Sequence, residues 1–286
     1  MVFDLEGKDI HSRLRLKEHG IFSIREDNQG NYFLPAEYGE RVIQIAQDGS
    51  VRPIDSLEDP IYLIKEDDVQ VVTYNTGYDY GTLEISEGSN VTRLELDGFN
   101  RLVSFDEKYV YSFADLIDEE KTVLYIVDRK LDKLVKTLPL KHGVANDMKK
   151  IHGKLIITGT DNATELTVVD QKTLEIEYVE LPTKNPEYIL VDNDRLLITH
   201  VASNKITIMD KKRLTVTETV DIQHPVFKVR ADHRYIYALT QLESNDHAGV
   251  IGVYDKKTWN LKREILLPKI RETLVQDLTL LHSEER

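Results

Sequence analysis

Apolar and polar residues alternate along this chain in short runs, and turn residues separate the runs. The segment "YILVDNDRLLITH" (188–200) is an example, with an apolar run, a polar turn and a second apolar run. Two such runs around a short polar turn are typical of an antiparallel β-hairpin. The pattern therefore predicts an all-β protein.

The hairpins repeat at a nearly constant interval. Four of them, such as "ELTVVDQKTLEIEYVEL" and "VIGVYDKKTWNLKREIL", turn at Asp128, Asp170, Asp210 and Asp255, which are 42, 40 and 45 residues apart. An aspartate carboxylate can accept the N–H groups of its own turn. We therefore predict that these four acids are structural and have no catalytic role.

A second hairpin precedes each of these, so that one repeat holds four strands, and a period near 40 is the signature of propeller blades. Six repeats start near residues 20, 60, 98, 143, 186 and 225. Residues 270–283 and 2–18 would supply the two halves of a seventh blade and so leave no open sheet edge. We expect one seven-bladed β-propeller domain over residues 1–286, although 270–286 could also form a short amphipathic helix.

The segments "NPEYILVDNDRLLITHVASNKITIMDKKRLTVTETV" and "HPVFKVRADHRYIYALTQ" carry a further resemblance. Their order of proline, strand, acidic turn, second strand and apolar strand ending in aspartate resembles the YVTN-type repeat propellers, which include quinoprotein-like and lactonase-like seven-bladed propellers. The signature tetrapeptide is degenerate here, as "LITH", "YALT" and "IITG". The resemblance implies the fold, and a fold does not carry an activity with it.

Composition and charge exclude several functions. The 37 basic and 50 acidic residues give a net charge of −13, which makes nucleic acid a poor partner. The chain has no cysteine, so disulfides and thiolate chemistry are excluded. No signal sequence or membrane-spanning run is apparent. The compartment stays open, with a secreted or cell-surface location preferred over a cytoplasmic one, and we expect a monomer.

Propeller geometry places the loops between blades, and the loops between second and third strands, on one face at the mouth of the channel. In that second set of loops, acids outnumber the bases Arg41, Lys121 and Lys205. The acids are Glu37, Glu40, Asp79, Asp115, Asp118, Glu119, Glu120, Asp161, Glu165, Glu243 and Asp246. An acidic field would attract a cationic or polar partner. Alternatively, the asymmetry is a solvated surface without a function.

One loop of this face, "TYNTGYDYGT", is the best candidate for ligand binding. It carries Tyr74, Tyr78 and Tyr80 together with Asp79. Aromatic rings beside a carboxylate suit a sugar, a peptide or an ammonium group. The alternative is a loop that packs its own tyrosines.

Residues of the loops between blades are further candidates, namely His19, His142, Asn185 and His224, and His200 follows a second strand. The three loop histidines come from blades 1, 4 and 6, which is too wide a spread for ligands of one metal ion. They could instead grip a larger ligand, or could simply be turn residues.

We therefore expect a non-catalytic propeller that binds a protein, a peptide or a small polar or cationic ligand at the acidic channel mouth, without a cofactor or a metal. A lactonase-like or lyase-like enzyme is the first alternative. It would gather an acid and a histidine at the mouth from among His142, Asp147, Glu187 and His200. A purely structural interaction module is the second alternative.

Overall fold

The computed structural model describes residues 2–3, 10–12, 16–141, 143–270 and 274–280, with the main chain alone for the first two ranges. In these ranges the chain forms six four-stranded antiparallel sheets and one two-stranded sheet. Every four-stranded sheet orders its strands as they follow in the chain. The described residues contain no helix long and apolar enough to cross a membrane.

The two-stranded sheet pairs β1 (Val2–Phe3) with β2 (Ile10–Ser12). The strands of blades 1 to 3 are β3 (Arg25–Glu26), β4 (Tyr32–Ala36), β5 (Arg41–Ile45), β6 (Val51–Asp55), β7 (Pro60–Glu66), β8 (Val69–Tyr74), β9 (Tyr80–Glu87), β10 (Asn90–Asp97), β11 (Phe99–Phe105), β12 (Tyr109–Leu116), β13 (Lys121–Asp128) and β14 (Lys133–Leu140). The strands of blades 4 to 6 are β15 (Met148–Ile151), β16 (Lys154–Ile157), β17 (Glu165–Asp170), β18 (Ile176–Glu180), β19 (Pro186–Asp192), β20 (Arg195–His200), β21 (Lys205–Asp210), β22 (Val216–Asp221), β23 (Lys228–Ala231), β24 (Tyr235–Gln241), β25 (His247–Asp255) and β26 (Leu261–Pro268).

The prediction of seven blades was wrong, because the described part of the chain holds six four-stranded blades. The strands β1 and β2, expected to complete a seventh blade, pair with each other in a sheet of two. Residues 274–280, expected to provide its inner strands, contain no strand and no helix. They have few β-branched residues and contact blades 1 and 6 through side chains instead of a strand ladder.

The strands of a blade differ in burial according to their distance from the channel. The middle strands β12 and β13 are buried along almost their whole length, because a neighbouring blade covers each face. The outermost strand β14 is mostly exposed. One hydrophobic cluster joins blades 2, 3 and 4 through residues such as Val71, Phe113 and Leu155, so the core lies between blades as well as within them.

The aspartates of the repeat make the turn contacts that the sequence predicted. In blade 4, Asp170 Oδ1 accepts the N–H groups of Lys172 and Thr173, both at 2.9 Å. In blade 6, Asp255 Oδ1 accepts the N–H groups of Lys257 and Thr258 at 3.1 Å. Asp128 and Asp210 repeat the arrangement in blades 3 and 5.

A threonine at the end of the second strand serves main-chain groups that the strand ladder leaves unpaired. The register of β19 against β20 shifts between Pro186 and Ile189, as at a β-bulge. There, Thr199 Oγ1 accepts the N–H of Tyr188 and donates to the carbonyl of Phe227 in the next blade, both at 3.2 Å. Thr158 accepts the N–H groups of residues 146 and 147 in the same way.

Buried polar side chains also join neighbouring blades. Asn75 and Asn100 bind each other reciprocally between blades 2 and 3: the amide of Asn75 donates to the carbonyl of Asn100, and its Oδ1 accepts the N–H of Asn100, both at 2.9 Å. Between blades 4 and 5, Asp147 Oδ2 accepts the N–H of Ile189 at 2.9 Å. These bonds hold the inner strands at fixed distances around the channel.

Asp277 connects blade 6 to blade 1. Its side chain is 5% exposed, and its Oδ2 accepts the N–H of Ile24 in blade 1 at 3.1 Å. In blade 6, Lys228 Nζ lies 3.0 Å from Oδ2 and Arg230 donates to Oδ1 at 3.1 Å. The Tyr32 hydroxyl donates to the carbonyl of Leu280 at 3.2 Å. We refer to residues 274–280 as the clasp.

We predict that Thr199→Val lowers the free energy of unfolding by about 1–3 kcal/mol, because it removes a hydrogen-bond partner from two partly buried main-chain groups, the N–H of Tyr188 and the carbonyl of Phe227. The control is Thr217→Val, which removes the same atom from the exposed strand β22. That change should cost less than about 0.5 kcal/mol. Urea unfolding of both variants measures the difference, and equal losses would contradict the role assigned to Thr199.

We predict that Asp277→Asn lowers the free energy of unfolding by about 3–5 kcal/mol, because it removes one partner of a buried ion pair. Asp221→Asn is the control, since Lys205 and Asp221 form an exposed pair at 2.9 Å. Its loss should stay below about 1 kcal/mol. Urea titration is again the measurement, and a loss at Asp277 no greater than at Asp221 would show that the clasp does not hold the ring.

Candidate functional site

The loops between blades and the loops between second and third strands lie together, and we call their side of the ring the loop face. The N–H of Glu37 donates to the carbonyl of Gly20 at 3.1 Å, and the N–H of Asn75 donates to the carbonyl of Asp59 at 3.1 Å. On the opposite side, the hairpin face, the N–H of Gln171 donates to the carbonyl of Gly153 at 2.9 Å. The two kinds of loop are thus separated by the length of the blades.

The loops of blades 1, 2 and 3 converge on the loop face. The N–H of Asp59 in blade 2 donates to the carbonyl of Gly39 in blade 1 at 2.8 Å. Burial and the charge of Asp59 raise the pKa of Glu37 in blade 1, while Arg101 in blade 3 lowers it. Charges from three blades therefore act on one carboxylate.

Exposed aromatic rings stand on this part of the loop face. Tyr38 is 68% exposed and Phe22 is 42% exposed, and their rings meet edge to face with centroids 6.2 Å apart. Tyr78 is 68% exposed and Tyr80 is 48% exposed. We call these four residues the aromatic patch.

The lack of a side chain at Gly20 allows the ring of Tyr38 to pack against the backbone of residue 20. Gly20 has a φ of +70°, and a Cβ there would lie only 2.6 Å from Tyr38 Cδ2. An L-residue at this position would be strained by its backbone angle and would displace the ring. Glycine at position 20 therefore leaves the space that the ring of Tyr38 occupies.

The structure separates the four residues predicted from "TYNTGYDYGT". Tyr74 is buried inside blade 2, where its hydroxyl donates to Glu84 Oε1 at 3.1 Å and burial raises its pKa. Tyr78, Asp79 and Tyr80 are exposed on the loop face. The carbonyl of Asp79 accepts the N–H of Gly98 at 2.7 Å, which fixes the loop to blade 3.

The other predicted residues of the loops between blades lie apart along the ring. His19 is exposed in blade 1, and His224 in blade 6 places Nε2 2.6 Å from Glu264 Oε1. Asn185 has a φ of 57°, and its Oδ1 is buried without a hydrogen-bond partner. His142 lies outside the described residues. Within the described ranges, no group of three or more His, Asp or Glu residues could hold a metal ion.

His200 is fully buried in blade 5 and uses both ring nitrogens there. Nδ1 lies 3.0 Å from the carbonyl of Lys184, so it must carry the proton, since a carbonyl can only accept. Nε2 then accepts from the hydroxyl of Thr207 at 2.8 Å. Burial lowers the pKa of His200 to about 4, and the Lys184 carbonyl opposes that shift only in part. The imidazole is therefore neutral at physiological pH.

The inner strands and the clasp line a cavity of about 450 Å³ in the channel, which is open to solvent on one side. Asp147 lines it, with Lys149 Nζ 3.1 Å from its Oδ1 and the N–H of Ile189 on its Oδ2. Burial acts against its charge, but Lys149, the Ile189 N–H and Arg25 together outweigh burial and hold the pKa of Asp147 below its usual value. This carboxylate stays charged.

Glu187 is the second carboxyl group near the cavity that the sequence singled out. Its Oε1 lies 3.4 Å from Asn146 Nδ2, so the loop that carries Asp147 and the strand that carries Glu187 are in contact. Burial raises the pKa of Glu187 to about 7, against the opposing effects of Lys228 and Asn146. Glu187 therefore changes its charge near neutral pH.

Sequence reasoning missed several charged residues of the channel. Lys228 had a visible signal, because in "QHPVFKV" it occupies the position that Ser23, Leu63 and Ile189 hold in the other repeats. The inner strands of blades 1, 2 and 5 hold an uncharged residue at this position. A lysine there therefore predicts a buried acidic partner. That partner, Asp277, lies in a segment without a strand pattern, so no spacing connected the two.

Comparisons with known proteins identify the fold. The chain matches a streptogramin B lyase structure with a TM-score of 0.65 at 15% identity, over 90% of this chain and 86% of that one. A chain in the crystal structure of the mitotic checkpoint complex matches with a TM-score of 0.65 at 12% identity, over 96% and 90%. The dihydro-heme d1 dehydrogenase NirN, solved in complex with DHE, matches with a TM-score of 0.59 at 12% identity, over 86% of this chain.

These matches show that the protein is a β-propeller, and at such low identity they show the fold alone. The match spans only 57% of the NirN chain. No family model and no curated protein sequence matches the chain. The resemblance to the YVTN repeat therefore stays an expectation from the sequence.

We predict that His200 makes the fold less stable as the pH falls from 6.5 to 4. The unfolded imidazole takes up a proton near pH 6.5, but the folded one does so only near 4. The contribution of His200 to the free energy of unfolding is thus complete above pH 6.5. About 3 kcal/mol of that free energy is lost as the pH falls to 4.

Urea unfolding as a function of pH measures this effect. His200→Gln should flatten the dependence between pH 4 and 6.5, whatever its effect on stability at pH 7. His233→Gln, at an exposed position, is the control and should keep the dependence of the unchanged protein. If the slope survives in His200→Gln, another group is responsible.

Proposed function

We propose that this propeller is a non-catalytic binding protein that takes a basic segment of a protein or peptide on the loop face of blades 1 to 3. The observation that carries the proposal is the aromatic patch of Phe22, Tyr38, Tyr78 and Tyr80, exposed on loops that converge. Exposed aromatic side chains with a polar surround are the usual anchors of a protein interface.

The charge around the patch fits a cationic partner. The acids Glu40, Asp79, Asp118 and Glu120 are exposed in the loops of these three blades and make no ion pair with a described residue. The lysine of the same loops, Lys121, already pairs with Glu119 at 3.0 Å. Arginine or lysine side chains of a partner could therefore meet both carboxylates and tyrosine faces.

Two acids of the loops are not available to a partner. Asp115 is buried and lies 2.8 Å from Arg101 Nε, and Glu165 is buried and forms an ion pair with Lys141. The acidic character of the loop face is thus weaker than the sequence suggests around the whole ring. Asp161, Glu243 and Asp246 are exposed in blades 4 and 6 as well, so the position of the aromatic patch is what confines the proposal to blades 1 to 3.

The comparisons add support of a general kind. One similar propeller was solved as part of the mitotic checkpoint complex, so this fold can present its surface to other proteins. The lyase-like or hydrolase-like alternative gains nothing from His200, because both of its ring nitrogens are engaged inside blade 5.

The proposal predicts that peptides selected from a phage-displayed random library will be enriched in arginine or lysine together with apolar residues. Tyr78→Ser should weaken the selected peptides about tenfold, as expected for an interface anchor. The control is Leu131→Ser, which removes a side chain of similar exposure, 60%, from a hairpin turn of blade 3. Isothermal titration calorimetry with synthetic peptides measures both.

Binding should also weaken as the salt concentration rises, because the attraction is between exposed charges. Peptides without basic residues, or peptides that bind Tyr78→Ser as well as the unchanged protein, would overturn the proposal. If arginine amide alone binds as tightly as the selected peptides, the ligand is a small cation instead of a protein segment.

A further inference from the structure

The channel cavity raises a question that is independent of the aromatic patch. Its lining runs along the later part of the inner strands, from Tyr62 to Glu66 in blade 2 and from Tyr188 to Val191 in blade 5. Exposed Glu26 and Lys150 also line it. The inner strands run from the loop face to the hairpin face, so the cavity extends towards the face opposite the patch.

The size and walls of the cavity suit a small molecule. Its volume of about 450 Å³ falls within the range of small-ligand sites. All six inner strands and the clasp contribute to its walls, so a ligand there would be surrounded on every side of the channel axis. The lining combines charged side chains with the tyrosines Tyr62 and Tyr188.

The charges of the lining do not balance. Five basic residues, Arg25, Lys149, Lys150, Lys228 and Arg230, face four acidic ones, Glu26, Glu66, Asp147 and Asp277. Lys149 pairs with Asp147 at 3.1 Å, and Lys150 pairs with Glu66 at 3.1 Å. Lys228 and Arg230 share the single carboxylate of Asp277. By count, the lining holds one more basic than acidic residue, within a chain of net charge −13. Glu187, beside the cavity but outside this lining, also interacts with Lys228.

Arg25 is the cation of the lining that forms no ion pair with a described carboxylate, although its charge also lowers the pKa of Asp147. Its guanidinium carbon lies 3.7 Å above the centroid of the Tyr62 ring, so the cation is placed over the face of that ring. Its Nε is buried and has no hydrogen-bond partner. A buried donor without a partner costs free energy, and a guanidinium offers five N–H donors.

We infer that the channel cavity binds a small organic anion whose carboxylate or phosphate group is held by the guanidinium of Arg25. A guanidinium fork matches the two oxygens of such a group with parallel hydrogen bonds. The Tyr62 ring positions the cation before the ligand arrives, and the shared charges of Lys228 and Arg230 favour an anion in the same space. This inference goes beyond the proposed function and does not depend on it.

The test is a titration of the full chain with small anions and their neutral analogues. The probes are succinate, citrate, benzoate and glycerol phosphate, compared with succinamide, benzamide and glycerol, and the measurement is calorimetry supported by thermal shift. At least one anion should bind, and its neutral analogue should not. Whether the carboxylates or glycerol phosphate bind distinguishes the two kinds of anionic group.

Arg25→Gln should weaken the binding anion at least about tenfold, because a charge-assisted bidentate contact is lost. Arg25→Lys keeps the charge but not the fork, so it should restore only part of the affinity. Arg213→Gln is the matched control, since it makes the same charge change at an exposed hairpin turn. That variant should bind like the unchanged protein.

A second measurement needs no variant and therefore does not depend on Arg25→Gln folding. In the unchanged protein with ¹⁵N-labelled arginine, the Nε resonance of Arg25 should shift during titration with the binding anion. No binding by any anion at millimolar concentration would overturn the inference. Equal binding by Arg25→Gln, or a shift of other arginines without Arg25, would do so as well.

Discussion

The ring depends on buried polar side chains that satisfy main-chain groups at the inner strands. An innermost strand has a ladder partner on one side only, and its bulge leaves further N–H groups unpaired. The hydroxyl of Thr199 and the side-chain amide of Asn75 supply such partners, and both reach the neighbouring blade. The same bonds therefore hold a strand in its blade and a blade in the ring, which fixes the width of the channel.

Much of the fold could be predicted because its determinants are local and repeat. The spacing of Asp170 and Asp255 identified the hairpins, and these residues indeed bind their own turns. The degenerate tetrapeptides "LITH" and "IITG" keep the threonine, whose hydroxyl accepts main-chain N–H groups in blades 5 and 4. The number of blades could not be predicted in this way, because Asp277 joins the ring through tertiary contacts that leave no period in the sequence.

The residues of the candidate site also divide into those that the sequence reveals and those that only the structure reveals. Tyr78 and Tyr80 could be found from the sequence because they share one loop with Asp79. Phe22 and Tyr38 could not, since their contact depends on Gly20 and on the position of the blade 1 loop. Tyr74 belongs to the same tyrosine-rich stretch, but strand alternation turns it into blade 2. There its register partner is Thr82, and only the bond from its hydroxyl to Glu84 shows its role.

The clasp has a consequence for the order in which the protein folds. Strands within a blade pair with close neighbours in sequence, whereas the bond from Ile24 to Asp277 spans 253 residues. The entropic cost of closing a loop rises with its length, and contacts between distant parts of a chain slow folding. Blades can therefore form one after another along the chain. Among the described contacts, those of the clasp close the longest loops, so we expect blade 6 to join blade 1 after the strands within each blade have paired.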